Sequence, residues 1–163
     1  MKISDVQKFT DKLLPKLFSF SYALAPDNEK ARGLMEDAYA IFLIREKNYI
    51  EKAIYPKQKN EERLFIKFFL LGIMHEIFNL SLKNLFKIKT IENSVGHEYK
   101  SFYSIELKQR AVLFLKEKFS FKIEYISSVT SLSKSEIIQS LYNSREILLY
   151  DGNEIIGARH ERH

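Results

Sequence analysis

The sequence predicts an all-α protein, an N-terminal helical bundle joined by a linker to a C-terminal helix-turn-helix domain. Three observations carry this. Apolar residues recur at intervals of three and four over long stretches. Five Gly and three Pro in 163 residues leave room for long helices. No window sustains the apolar-polar alternation of a half-buried strand. A hydrophobic content of 45% is that of a globular chain, and the length suffices for a core.

The elements come in this order. From Asp5 to Leu24 the positions Val6, Phe9, Leu13, Leu14, Leu17, Phe18 and Tyr22 line one helical face, with Pro15 inside the pattern as a candidate kink. "APDNEK" breaks it, and Asp27 or Asn28 caps the next helix. This second helix is expected from about Glu29 to Lys47, with Leu34, Met35, Ala38, Ile41, Phe42 and Arg45 in register. "YIEKAIYPKQKN" reads as a polar connection. The third helix, about Glu61 to Phe86, is apolar on more than one side, which places it centrally. Periodicity then lapses through "KIKTIENSVGHEYKS", the linker. Beyond it, short helices are expected near Ile105–Lys118, Ile123–Val129 and Lys134–Leu149, and the tail "YDGNEIIGARHERH" is expected to fray. The units are therefore 1–90, a linker at 91–101, 102–150 and a tail at 151–163.

Composition narrows the chemistry. Without Cys there are no disulfides, no thiol catalysis and no Cys-ligated zinc, which fits a cytoplasmic chain. "MKISDVQKFTDKLLPKLF" is too interrupted by charge for a signal peptide. "LFIKFFLLGIMHEIFNLSL" contains Lys67, His75 and Glu76, which favours a buried helix over a membrane span. No G-x-S-x-G, P-loop or G-x-G-x-x-G is present, and the chain is not expected to be an enzyme or to carry a cofactor. His75-Glu76 with Asn79 misses the H-E-x-x-H zinc helix by one ligand, and His97, His160 and His163 read as surface residues.

The net charge of +5 is unevenly spread. Between Arg63 and Ile91, five cations (Arg63, Lys67, Lys83, Lys87, Lys89) face one carboxylate, Glu76, for a net +4. With Phe65, Phe68, Phe69, Phe78 and Phe86 interleaved, this suits single-stranded nucleic acid: cations track the backbone and aromatic faces stack on bases. The alternative is a core helix with a solubilising basic end.

"ISSVTSLSKSEIIQSLYNSREILL" has the cadence of a helix-turn-helix. Ile126, Val129, Leu132, Ile137, Leu141 and Leu148 would form its core, while Ser133 and Glu136 have the spacing of a capping box. Lys134 and Arg145 against Glu136 and Glu146 leave the second helix neutral. Ser135, Gln139, Tyr142, Asn143 and Arg145 remain as readers, so weak duplex binding by this domain alone is expected.

In this order the pieces resemble a bacterial RNA polymerase sigma factor of the small extracytoplasmic-function class, over roughly Leu14 to Leu149. "DNEKARGLMEDAYAIFLI" is similar to that family's clamp-docking helix, with Glu36 and Asp37 at its acidic pair. "FFLLGIMHEIFNLSLKN" resembles the promoter-opening helix, and the segment from Glu106 to Leu148 resembles the C-terminal helix-turn-helix, including Gln109-Arg110 and Arg145. The chain departs from the pattern at Ser131, where the family favours Gly. It departs again at Glu136, Ile138 and Ser140 in the recognition helix, and at Glu76 and Leu80 in the opening helix. The resemblance implies core RNA polymerase and promoter DNA as partners, with an anti-sigma factor as a further one. Glu36 and Asp37 would bind polymerase. Lys67, His75, Lys83, Lys87, Lys89, Ser135, Gln139, Tyr142 and Arg145 would contact DNA. The competing readings are a sigma-like interaction protein that does not initiate, and a helical module unconnected with transcription.

Overall fold

A computed structural model describes residues 3–53, 59–85, 95–96 and 99–160, and every regular element among them is a helix. In chain order these are α1 (Ile3–Leu24), α2 (Asn28–Arg45), α3 (Lys47–Ala53), α4 (Lys59–Lys83), α5 (Lys100–Ser104), α6 (Leu107–Glu117), α7 (Ile123–Thr130) and α8 (Lys134–His160).

Helix α1 is continuous through Pro15, and the Ser19 hydroxyl donates to the Pro15 carbonyl at 3.0 Å. Its buried line is Leu13, Leu17, Phe20 and Leu24, spaced by four, three and four. Asp27 starts α2: its carboxylate accepts from the Lys30 amide at 2.8 Å, a helix N-cap. Helix α2 buries Ala31, Leu34, Ala38 and Phe42, whereas Ile41 stays 39% exposed. The expected polar connection after it begins as a helix, α3, because nothing between Lys47 and Ala53 is Gly or Pro.

Helix α4 is central, as its unbroken apolarity demands. Phe65, Phe69, Leu70, Ile73, Met74, Ile77 and Phe78 are buried, and it packs on α1, α2 and α7. Glu61–Lys83 is long and apolar enough to cross a bilayer by composition, but half of that apolar window is buried inside the protein. Gly72 sets its approach to α2, since a Cβ there would drive into the Phe42 ring. That ring cannot yield easily, being fully buried with edge contacts to Phe69 at 5.2 Å and a tilted contact to Phe68 at 5.6 Å.

Most of the expected linker lies outside the described residues, and the helix α5 covers its end. Helices α6, α7 and α8 pack on one another. The turn passes through Ser131 at φ 58°, the left-handed region that Gly enters without cost. The capping box is present: the Ser133 amide donates to Glu136 Oε2 at 2.7 Å, and the Glu136 amide donates to Ser133 Oγ at 3.3 Å. Ile126, Val129 and Ile137 are fully buried, Leu141 nearly so, and Leu132 and Leu148 pack against them.

The tail departs from expectation. Backbone helix continues without a break to His160, instead of fraying after Leu149. Gly152 and Gly157 weaken a helix but do not interrupt its hydrogen bonds, and no Pro follows.

The two sets of helices lie against each other along two seams. At one, α1 packs on α6, with Phe20 and Phe114 at 6.2 Å. At the other, α4 packs on α7. One hydrophobic cluster runs through both, from Leu13 to Leu141.

Candidate docking and nucleic-acid faces

The outward face of α2 is built by helical phase. With Ala31, Leu34, Ala38 and Phe42 committed to the core, Glu36, Asp37, Ala40 and Ile44 must point away from it, and all four are exposed. Ile44 is 79% exposed. Two carboxylates therefore stand one turn from an apolar step on a rigid helix. That arrangement suits a partner helix carrying cations beside an apolar stripe. Glu36 and Asp37 were legible in the sequence; Ile44 was not singled out there.

Arg45 leaves this face to meet Glu76 of α4, the carboxylate that stands in the expected DNA-opening helix. Its Nε also meets Glu46 at 2.8 Å, and the Glu46 hydrogen bond, then that of Glu76, holds the guanidinium above its ordinary range. Glu76 is buried, so a paired cation is what makes its burial tolerable. The acid that departs from the family pattern thus ties α4 to α2.

The expected nucleic-acid residues of α4 are distributed less simply. Phe65, Phe69 and Phe78 are core, so no base can stack on them. Phe68 is half-buried against Tyr49, ring centroids 4.5 Å apart. Lys67 lies over the Tyr125 ring of α7 at 3.7 Å, and its ammonium pulls the Tyr125 hydroxyl below the usual tyrosine range. His75 Nδ1 sits 2.8 Å from the Val129 carbonyl of α7. A carbonyl only accepts, so Nδ1 carries the proton and Nε2 accepts from the Asn79 amide at 2.9 Å. Asn79, which spoils the zinc motif, is therefore the group that orients His75. Lys83 is exposed, and Lys87 and Lys89 lie outside the described residues. Among the described residues no group of three His, Asp or Glu side chains is placed to hold a metal ion.

Helix α8 keeps its expected readers on the surface. Ser135, Gln139, Tyr142 and Arg145 are all exposed, and the last three have local partners that limit their freedom. Gln139 donates to Asn143 Oδ1 at 2.8 Å, and Arg145 meets Glu117 of α6 at 2.7 Å. Tyr142 bonds the Glu146 carboxylate, which pushes its hydroxyl above the usual range. Ser140 is buried and accepts from Ser144 Oγ at 2.6 Å through its carbonyl, so it is no reader.

Sequence reasoning missed two further features. Arg110, expected only as part of a family pair, is fully buried and holds the α1–α6 seam. It donates to the carbonyls of Tyr103 at 3.1 Å, Ile105 at 3.3 Å and Leu24 at 3.2 Å. Leu24 is the last residue of α1, so a cation there also faces the negative end of that helix. Beside it an aromatic groove of about 680 Å³ is walled by Phe18, Tyr22, Phe102, Tyr103 and Phe114, with Lys118. Neither feature has a local signal, since each is assembled from residues far apart in sequence.

No family model matches the chain, and no curated protein or solved structure matches it either.

Proposed function

We propose that this chain is a sigma-like transcription initiation factor of the cytoplasm, which binds core RNA polymerase and directs it to promoters. The observation that carries the proposal is the exposed α2 face, where Glu36 and Asp37 flank the approach to Ala40 and Ile44. A rigid acidic and apolar helix face suits docking on a basic helix of a large partner. The order of the helices and the capping box before α8 agree with the same reading.

The geometry adds a condition. Lys67 and His75 of α4 are held by Tyr125 and Val129 of α7. Strand contact by α4 therefore requires α4 and α7 to part, after which Lys67 joins Lys83 in following the backbone. Docking on polymerase would supply the free energy for this. The neutral α8 would then gain duplex affinity by tethering rather than by charge.

The second reading, a sigma-like protein that binds an anti-sigma factor or competes for polymerase, is favoured by the same pair of contacts, because a closed α4 cannot melt DNA. Mixing the chain with core polymerase and fork-junction DNA separates the readings. Association with strand opening at selected sequences is the expected result. Association without opening supports the competitor, and no association removes initiation and competition alike.

A further inference from the structure

Helix α8 buries Ile137, Ser140, Leu141 and Ser144 and turns a second stripe outward. Ile138 is 50% exposed, Tyr142 60% and Leu149 69%, with Ser135 and Arg145 also exposed. The positions 135, 138, 142, 145 and 149 alternate by three and four, which is the seam spacing of a two-helix coil. A helix built to read duplex DNA gains from cations at such positions; this one has a single cation, already beside Glu117, with Ser135, Ile138, Tyr142 and Leu149 making up the rest.

We propose that a second copy of this chain covers the stripe, the two α8 helices lying antiparallel. The stripe is self-complementary in that orientation. In a twofold pairing centred between 142 and 145, Ile138 meets Leu149 of the second copy and Tyr142 meets its Arg145, each contact occurring twice. Apolar groups face apolar groups, and the one cation of the seam faces an aromatic ring. A parallel pairing sets Arg145 against Arg145 on the axis, where like charges repel. The described helix continues to His160, so its length does not limit the contact. This inference stands apart from the initiation reading. It bears on it, because the paired face holds Ser135, Tyr142 and Arg145, so self-pairing and duplex reading exclude each other.

Sedimentation of the full chain over a range of concentrations tests the pairing. The wild type is expected to reach twice the monomer mass. Ile138→Glu should weaken self-association by at least about tenfold while helical content is unchanged. Ile138→Glu combined with Leu149→Lys brings opposite charges together in the antiparallel register only, so pairing should return and become salt-sensitive. A wild type that stays monomeric overturns the proposal, as does a dimer indifferent to Ile138→Glu. A double variant as monomeric as the single one overturns it too. So does a monomeric wild type whose duplex binding is what Ile138→Glu abolishes.

Discussion

The two seams that join the halves of this molecule are held by different chemistry. At α1–α6, the Arg110 guanidinium is fully buried and spans three backbone carbonyls from two sides of the seam. At α4–α7, the polar links are a half-buried imidazole on one carbonyl and a lysine over a tyrosine ring. Removing Arg110 from the closed seam would leave buried carbonyls without a donor, whereas His75 and Lys67 are only half-buried. The polar links of the first seam therefore resist loss more than those of the second, which is why the opening proposed above is placed at α4–α7.

Mutation should expose that asymmetry. Arg110→Met has the largest expected effect, a loss of about 3–4 kcal/mol, because it leaves buried acceptors unsatisfied. Urea denaturation should show a single destabilised transition, since this seam belongs to the global core. Gly72→Ala comes next, at about 2–3 kcal/mol, from overpacking against Phe42. Its loss should appear in the same urea transition, because α2 and α4 share the Phe42 ring. His75→Ala should cost only about 1–2 kcal/mol globally. Its distinctive effect should be faster amide exchange across α7, with α6 still protected. Equal loss of protection in α6 and α7 would mean that the seams open together.

The smallest effect serves as a control on neither seam. Ser133 lowers the Glu136 pKa from its ordinary 4.5, through its hydroxyl first and its amide second. The folded value lies below the unfolded one, so this contribution is present above the unfolded pKa and is lost as pH falls through the folded one. Urea midpoints over an acid series should therefore decline less steeply for Glu136→Gln, and α4–α7 exchange should be unaffected.

Local order was legible in the sequence, and long-range pairing was not. Asp27, Ser133 and Glu136 announce their caps because the partner amides lie three residues away. Helix α4 announces its central place because apolar residues crowd most of its circumference. By contrast, His75 reads as half of a spoiled zinc motif or as a DNA contact until Val129, 54 positions on, supplies its acceptor. Arg110 looks like one more helix cation until Leu24, 86 positions back, accepts its hydrogen bond. Ile44 was not singled out in the sequence, and the burial of Ala38 and Phe42 is what shows that it faces outward. The nucleic-acid residues divide the same way, with Ser135, Gln139, Tyr142 and Arg145 exposed as expected and Lys67 and His75 taken by α7.

Opening of the α4–α7 seam on polymerase is the step on which the proposed mechanism depends. The absence of Cys makes it directly measurable, because Glu62→Cys on α4 and Ser128→Cys on α7 would be the only labelling sites, both on exposed residues. The free protein should give one fixed distance between the two labels. That distance should lengthen when core polymerase and fork-junction DNA are added, while the α1–α6 seam, labelled in the same way, holds its distance. An unchanged α4–α7 distance in a complex that has opened the DNA would contradict the mechanism.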